Sequence, residues 1–384
     1  MLFNKKGVFM LERYYSNLEK YIKPNKALII FGPRRVGKTT LLQNYLSKTK
    51  LKYRLDSGDN IKIQNLLSSQ DFDRILDYAY GYDLIAIDEA QQIENIGVAL
   101  KILVDQVPNL SVIATGSSSF DLSQNVGEPL TGRKTTLTLF PVAQTELLKM
   151  FTKFEIKERL SEYLIFGAYP EVLFAKSRQD KIAILNELVE SYLLKDILTF
   201  ENIKKSETLL NLVQLLAFQV GQLVSLNELA TQLRIDIKTV AKYLDLLEKS
   251  FVICKLSGFS KNLRNEITGK NKYYFLDIGI RNAVIAQFND LNVRNDVGQL
   301  WENFIFIERL KKQTYSGFYG NRYFWRTYQG QEIDFIEDIE NKFATFETKW
   351  SLTKRVGVPT AWIQAYPNSS FDVITPENYL DFIV

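Results

Sequence analysis

Histidine is absent from all 384 residues of the sequence, and cysteine occurs once, at Cys254. The lack of histidine excludes the commonest zinc ligand, serine triads built on histidine, and histidine acid–base catalysis. A single cysteine excludes an intramolecular disulfide and fits a reducing compartment. Any catalysis by this chain must therefore use carboxylates, lysine, arginine, hydroxyl groups or a hard metal ion.

Long apolar runs and a strong net charge are also missing. No apolar run approaches the roughly 18 residues that a membrane helix needs, and the first residues lack the apolar segment of a signal peptide. The 48 basic and 44 acidic residues give a net charge of only +4, too mild to indicate a nucleic-acid-binding protein by itself. We expect a cytoplasmic protein without membrane contact, long enough for two or three domains.

Apolar runs alternate with amphipathic segments in the first third of the chain, which is typical of βαβ units on a parallel sheet. The sequence predicts buried strands at 27–32, 83–88, 110–116 and 135–140, and helices at 39–46 and 95–106. Residues 142–220 read as nearly all helix. Beyond them, two helices at 225–234 and 237–250 precede extended runs at 251–256 and 272–277, which is the order of a winged helix-turn-helix. A long helix at 299–310 then leads into further strands.

Residues 32–39 read GPRRVGKT and fit the pattern G-x-x-x-x-G-K-[ST] at every fixed position. The predicted strand before the motif and the predicted helix after it would point a helix N-terminus at a phosphate. Lys38 would neutralise the β- and γ-phosphates, and the Thr39 hydroxyl would bind Mg²⁺. The alternative is a glycine-rich turn without a ligand. The predicted nucleotide-binding residues are Gly32, Pro33, Arg34, Arg35, Val36, Gly37, Lys38, Thr39 and Thr40.

A second motif, LIAIDEAQ at 84–91, places two acids at the end of a buried strand. In a parallel sheet this end faces the ligand crevice, so Asp88 would hold Mg²⁺ and Glu89 would polarise the attacking water. The alternative is a helix N-terminus that favours acids. Glu89 is the residue that extends the prediction from ATP binding to ATP hydrolysis.

Two further segments contain candidate catalytic residues. Thr115 or Ser117, in ATGSSS, could orient the water or sense the γ-phosphate, unless this is only a serine-rich loop. Arg133, in TGRK, could contact a γ-phosphate of the same chain or of a neighbouring subunit, as arginine fingers do. The alternative for Arg133 is a solvated or structural arginine.

The segments GPRRVGKTT, LIAIDEAQ, ATGSSS with TGRK, and GAYPE at 167–171 together resemble a family of bacterial and archaeal AAA-like P-loop ATPases close to the STAND signal-transduction class. The resemblance implies ATP and Mg²⁺ as cofactors, and an ATP state that controls how the trailing domains sit. It also implies that Pro170 lies near the adenine, although Gly-Ala departs from the family's glycine–x–proline element. The resemblance covers nearly the whole chain, and its C-terminal half is a companion domain of poorly defined function.

The second predicted helix of the winged helix-turn-helix carries Lys238 and Lys242, and Arg264 lies in the supposed wing. These residues are placed to contact DNA, with basic groups near phosphates. Interleaved acids such as Asp245 would weaken that contact. The alternative is a helix that packs as a lid on the ATPase core. DNA is therefore a candidate partner through this motif.

Residues 330–350, GQEIDFIEDIENKFATFETKW, predict two strands around a polar turn. Glu347 and Lys349 would share one strand face, and Asp334 could lie opposite them. This arrangement resembles the D…E-x-K core of PD-(D/E)xK nucleases, in which carboxylates hold Mg²⁺ and the lysine orients the attacking water. Glu302 is the candidate for the additional carboxylate, and Ile333 stands where a proline is common. The alternative is a half-exposed hairpin whose charged residues face water.

The predicted fold is α/β, with a P-loop ATPase core at 1–160, a helical linker or lid at 161–220, a winged helix-turn-helix at 221–283 and a nuclease-like domain at 284–384. The first functional hypothesis is a Mg²⁺-dependent ATPase that acts as a nucleotide-controlled switch. The alternatives are an ATP-gated, metal-dependent DNA nuclease, and an ATP-binding module without turnover that engages DNA or a protein partner. A homo-oligomer is a further possibility for the partner.

Overall fold

A computed structural model of the protein describes residues 11–117, 130–191, 206–260, 270–352 and 356–384. The chain divides into two compact units, Met1–Pro141 with Lys249–Phe251, and Val142–Glu248 with Val252–Val384. The predicted wing residue Arg264 lies outside the described residues. The four-part division drawn from the sequence stays a prediction.

The first unit contains a parallel sheet of five strands in the order β2-β3-β4-β1-β5. Its strands are β1 Ala27–Phe31, β2 Tyr53–Ser57, β3 Leu84–Asp88, β4 Ser111–Gly116 and β5 Lys134–Thr138. Its helices are α1 Lys38–Leu46, α2 Ile61–Leu67, α3 Phe72–Ala79 and α4 Ile96–Gln106. The parallel sheet and the four strands expected from the sequence are confirmed.

Burial explains why the sequence reveals β1, β3 and β4 but not β2. β1 and β4 are buried along their whole length, and β3 along all but its last residue, as apolar runs covered on both faces should be. β2, with the sequence YRLDS, is partly exposed along its whole length at the edge of the sheet. Edge strands tolerate polar residues because solvent reaches them, so β2 carries no apolar signal in the sequence.

The parallel register brings the carboxyl ends of three strands to one edge of the sheet. Phe31 at the end of β1 pairs with Gly116 at the end of β4, and Ile87 of β3 pairs with Ala114 of β4. The segments that follow these strands therefore emerge side by side, which is where parallel sheets place their ligands.

The second unit combines helices with a mixed sheet in the order β12-β11-β10-β9-β7-β8-β6. Its strands are β6 Leu223–Val224, β7 Ile253–Gly258, β8 Asn271–Phe275, β9 Asn321–Arg326, β10 Glu332–Ile339, β11 Lys342–Thr348 and β12 Ser370–Ile374. Its helices are α5 Gln144–Leu147, α6 Lys153–Glu158, α7 Leu160–Phe166, α8 Pro170–Phe174, α9 Arg178–Leu188, α10 Ser206–Phe218, α11 Leu226–Leu233, α12 Ile237–Lys249, α13 Ile278–Val284, α14 Val297–Ser316, α15 Thr360–Ala365 and α16 Tyr379–Ile383.

The helices α11 and α12 and the antiparallel strands β7 and β8 follow the predicted order of two helices and a hairpin. Asp236 caps α12 by accepting a hydrogen bond from the Thr239 N–H at 2.8 Å. β7 also pairs in parallel with β9 through Ser257 and Gly258. The hairpin and the C-terminal strands therefore form one sheet, a pairing that joins segments too far apart in the chain for sequence patterns to indicate.

β10 and β11 form the hairpin predicted for residues 330–350. Their antiparallel register sets Phe335 opposite Phe346. The turn residues Glu340 and Asn341 have φ values of 54° and 63°. Two positive φ values are the geometry of a two-residue hairpin turn that matches the twist of the strands.

α14 is a helix of 20 residues that carries much of the apolar packing of the second unit. Trp301 is fully buried, and its indole Nε1 donates to the Ile374 carbonyl oxygen at 3.2 Å. Its ring meets the ring of Tyr379 edge-on, with centroids 5.5 Å apart. Among the described residues, no helix is both long enough and apolar enough to cross a bilayer.

Replacing Trp301 with alanine should lower the free energy of unfolding by about 3–5 kcal/mol, because it leaves a cavity in this core. Urea denaturation followed by circular dichroism measures the change. Tyr328→Ala removes an aromatic ring that is fully exposed, and we expect it to change stability by no more than about 0.5 kcal/mol. Equal losses in the two variants would contradict the packing described for α14.

Candidate functional site

The loop between β1 and α1 is held close to the strand beside it. Gly32 has a φ of 149°, and a Cβ at this position would lie 2.0 Å from the Leu139 carbonyl oxygen. Gly37, with a φ of 98°, is the N-cap of α1 and provides no side-chain cap. The first N–H groups of α1 therefore lack a capping side chain, an arrangement that favours the binding of an anion.

Lys38 lies under this loop with only 4% of its surface exposed. Its ammonium group donates to the carbonyl oxygens of Gly32 at 2.9 Å and Pro33 at 2.8 Å. Burial lowers the pKa of Lys38 to about 8, while the charges of Glu89 and Asp88 act to raise it. The lysine is thus held at the phosphate loop with two acids nearby.

Asp88, the last residue of β3, brings two hydroxyl groups together. One carboxylate oxygen accepts from Thr39 Oγ1 at 2.8 Å, and the other accepts from Thr115 Oγ1. Thr115 in turn accepts from the N–H of Glu89 at 3.2 Å. Hydroxyl and carboxylate oxygens are the ligands that Mg²⁺ prefers. Thr39 and Asp88 therefore fit the metal role predicted for them.

Glu89 has a φ of 50°, in the left-handed region that residues other than glycine rarely adopt. The backbone of Gly58 fits against it, because a Cβ on Gly58 would lie 2.2 Å from the Glu89 carbonyl oxygen. The Glu89 carboxylate accepts from Gln91 Nε2, which also donates to Ser117 Oγ at 3.1 Å. Strained backbone of this kind is concentrated at functional sites.

Arg13 and Gln91 also contact the site, although the sequence prediction did not include them. The buried guanidinium of Arg13 donates to the carbonyl oxygens of Val36, in the phosphate loop, and of Phe140, at 2.5 Å for the latter. An isolated arginine in an N-terminal segment carries no sequence signal. Gln91 lies within the motif LIAIDEAQ, so its position next to Glu89 was available as a signal.

The predicted nucleotide-binding residues differ in exposure. Gly32, Pro33, Val36 and Lys38 are buried, Arg34, Gly37 and Thr39 are half-buried, and Arg35 and Thr40 are exposed. Pro170 is the first residue of α8 in the second unit. Its predicted place near the adenine stays a prediction.

Arg133 is not brought to the phosphate loop. The next residue, Lys134, pairs with Ala27, so Arg133 lies where β1 begins, whereas the phosphate loop follows the other end of that strand. Its guanidinium forms an ion pair with Asp105 of α4, with Nε and Oδ1 2.5 Å apart. This placement does not support a contact with a γ-phosphate of the same chain. A contact across a subunit interface stays a prediction.

The second unit assembles the carboxylates predicted for the nuclease-like site. Glu302 lies on α14, and Asp334 and Glu347 lie on the neighbouring strands β10 and β11. Burial and the charge of Asp334 raise the pKa of Glu302 to about 7. Lys349 Nζ donates to Glu347 Oε1 at 2.6 Å, and Asp334 Oδ2 accepts from the N–H and the hydroxyl of Thr348 at 2.8 and 2.9 Å.

Two residues of β8 that the sequence prediction missed, Lys272 and Tyr274, also contact these carboxylates. The hydroxyl group of Tyr274 donates to Glu302 Oε1 at 2.6 Å. Lys272 Nζ lies 2.9 Å from the same oxygen and 2.7 Å from Glu332 Oε1. Burial acts to lower the pKa of Lys272, but the charges of Glu302, Asp334 and Glu332 raise it above its usual value. Across the described ranges, no three Asp, Glu, Cys or His side chains are grouped so that they could together hold a metal ion.

The candidate DNA-binding helix α12 exposes Lys238 and Lys242. Asp245 on the same helix is exposed as well, and the Thr239 hydroxyl donates to Asp236 at 2.5 Å. The basic residues and the acids thus share the accessible surface of α12. DNA recognition stays a prediction.

Three families match separate segments of the chain. A family described as "AAA domain" matches residues 24–148, and two families described as domains of unknown function match residues 157–291 and 297–375. An uncharacterized protein of Haemophilus influenzae is 28% identical over 355 residues, covering 86% of this chain and 84% of the relative. An uncharacterized protein of Mycobacterium tuberculosis is 26% identical over 344 residues, covering 89% and 74%.

Among solved structures, the Walker-type ATPase of Pyrococcus abyssi is similar, with a TM-score of 0.51 and 16% identity. The match covers 73% of this chain and 97% of that structure, and at this identity it shows a shared fold alone. The matched AAA segment contains the phosphate loop and Asp88. Residues 24–148 are therefore similar to an AAA domain, and the chain shares the fold of a P-loop ATPase.

Gly32→Ala should abolish ATP binding, because the added Cβ would collide with the Leu139 carbonyl oxygen and the backbone φ disfavours an L side chain. Binding of a fluorescent ATP analogue measures the loss. Gly298→Ala, in α14, is the matched control, because its Cβ would meet nothing within 4 Å. Retained ATP affinity in Gly32→Ala would contradict the close approach described for this loop.

Gln91→Ala should lower kcat for ATP hydrolysis by about 10-fold with little change in ATP affinity, since it frees the Glu89 carboxylate from its donor. Steady-state phosphate release and equilibrium binding separate the two quantities. Gln92→Ala removes the exposed neighbouring amide and should leave kcat within about 2-fold of the wild-type value. A loss of affinity equal to the loss of kcat would point to a misfolded loop instead.

Proposed function

We propose that this protein is a Mg²⁺-dependent ATPase whose nucleotide state acts as a switch for its second unit. The observation that carries the proposal is the set of contacts at the end of β3. There Asp88 accepts from Thr39 and Thr115, and Thr115 accepts from Glu89. These contacts join the phosphate loop, the acidic strand end and the next strand into one site.

Each residue of the site has a chemical role in this proposal. Lys38 and the first N–H groups of α1 would hold the β- and γ-phosphates. Thr39 and Asp88 would hold Mg²⁺, which when bound neutralises charge on those phosphates. Glu89 would accept a proton from the attacking water, with Thr115 fixing the position of its backbone. Turnover therefore depends on Glu89, and binding depends on Lys38.

The switch is supported by where the site lies. All the residues assigned to phosphate, metal and water belong to the first unit, whereas the helices after residue 142 and the mixed sheet belong to the second. Gln91 connects the Glu89 carboxylate to Ser117, which follows β4. Loss of the γ-phosphate would change the contacts of the Glu89 carboxylate. Because Gln91 donates to both Glu89 and Ser117, it would also change the hydrogen bond to Ser117. The partner that responds to the switch could be DNA, another protein or a second copy of this chain.

Two substitutions separate binding from turnover. Lys38→Ala should weaken ATP binding by at least about 10-fold, because the loop loses its cation. Glu89→Gln should keep ATP affinity within about 3-fold and lower kcat by at least about 100-fold, because an amide cannot accept the proton. Isothermal titration with ATP and Mg²⁺, and phosphate release in the same preparations, measure the two effects.

Lys62→Ala, an exposed lysine of α2 in the same unit, is the control and should change neither quantity. Wild-type turnover in Glu89→Gln would contradict the role of that residue. Tight ATP binding without hydrolysis by the wild-type protein would favour a binding module over an ATPase.

The switch itself is tested by hydrogen exchange in Glu89→Gln with ATP and with ADP. If the second unit exchanged hydrogen at the same rates with ATP and with ADP, that result would contradict the proposed switch.

A further inference from the structure

The C-terminal cluster gathers four carboxylates from three elements of the second unit. Glu302 comes from α14, Glu332 and Asp334 from β10, and Glu347 from β11. Glu302 and Asp334 are largely buried, with side-chain exposures of 16% and 11%. Carboxylates taken out of water in this way need a compensating cation, and in metal-dependent nucleases that cation is a divalent ion.

Lys272 meets this requirement within the chain itself. Its ammonium lies 2.9 Å from Glu302 Oε1, 2.7 Å from Glu332 Oε1 and 4.0 Å from Asp334 Oδ1. Its side chain is 2% exposed, and its Nζ lies 5.5 Å from the centre of the Phe324 ring. One buried positive charge therefore compensates the negative charges of the carboxylates on both α14 and β10.

Two further oxygens of the cluster accept hydrogen bonds from neighbouring residues. Asp334 Oδ2 accepts both donors of Thr348, and Glu347 Oε1 accepts from Lys349 at 2.6 Å. Tyr274 donates to the Glu302 oxygen that Lys272 contacts. A Cβ on Gly221 would lie 3.1 Å from the other oxygen of Glu302, so the backbone of Gly221 lies close to that atom.

These contacts do not fit a divalent ion. Mg²⁺ needs oxygen ligands at about 2.1 Å in octahedral geometry and keeps several of its waters. An ion bound to Glu302 and Asp334 would lie beside the ammonium of Lys272, which cannot leave without losing its own buried partners. The residues therefore do not provide the metal site that the D…E-x-K pattern predicts.

We propose that Lys272 takes the place of the divalent metal in this cluster and that the C-terminal sheet is a scaffold that does not cleave nucleic acid. Lys272 then ties β8 to α14 and β10, and so joins the hairpin after α12 to the C-terminal strands. The inference concerns the second unit alone, and it holds whether or not the first unit hydrolyses ATP.

The first test uses Mn²⁺, whose binding to the full-length, nucleotide-free protein is counted by electron paramagnetic resonance. Asp88→Asn removes the metal ligand of the phosphate loop, and Asp88→Asn with Asp334→Asn also removes the central carboxylate of the cluster. We expect the two proteins to bind the same number of Mn²⁺ ions. One Mn²⁺ per chain that is bound by the single variant and lost in the double variant would overturn the proposal. DNA cleavage with Mn²⁺ that disappears in Asp334→Asn would overturn it as well.

The second test measures thermal unfolding. Lys272→Met leaves three acids without their cation and should lower the melting temperature by about 5–10 °C, whereas Lys349→Met should lower it by no more than about 2 °C. Lys349 is the matched control because its side chain is 38% exposed and contacts one acid of the same cluster. Equal shifts in the two variants would contradict the role of Lys272. If Lys272→Met does not fold, Lys272→Met with Glu302→Gln should restore folding, and the Mn²⁺ count does not depend on either variant.

Discussion

The hydrogen bond between Thr39 and Asp88 is the contact on which the nucleotide site depends. It joins the first turn of α1 to the end of β3 at 2.8 Å, and Asp88 extends the connection to Thr115 on β4. These three positions meet only because parallel strands end at the same edge of a sheet. The phosphate loop, the acid at the strand end and the neighbouring hydroxyl thus form one polar surface on an apolar core.

Tight backbone approaches keep this surface in place. Gly32 and Gly58 both lie where a Cβ would collide with a neighbouring carbonyl group, and Arg13 ties the phosphate loop to Phe140. Glu89 holds a backbone conformation that is unfavourable for its residue type, and Gln91 fixes its carboxylate. Rigid support of this kind lets a carboxylate act at a fixed distance from a bound phosphate.

The second unit shows how a similar pattern of acids can have a different physical basis. In the first unit the acids lie beside hydroxyl groups that suit a metal ion, while Lys38 contacts backbone carbonyls. In the second unit a buried lysine lies within hydrogen-bonding distance of two of the carboxylates. The charge that compensates buried acids can come from a lysine of the chain or from a bound metal ion. Only the position of the lysine shows which of these two applies at a given site.

The sequence by itself determined the features that depend on neighbouring residues. The phosphate loop, the buried strands β1, β3 and β4, the helix pair α11 and α12 and the hairpin of β10 and β11 all follow from local motifs and apolar periodicity. Tertiary structure alone decided the features that depend on distant segments. Two of them concern the sheets, namely the edge strand β2 and the pairing of β7 with β9. The others concern side chains: the hydrogen bonds from Arg13 to the phosphate loop, the position of Arg133 away from that loop, and the position of Lys272 among the carboxylates. A local pattern fixes how a side chain is oriented on its own element, but which charge it meets depends on how separate elements pack.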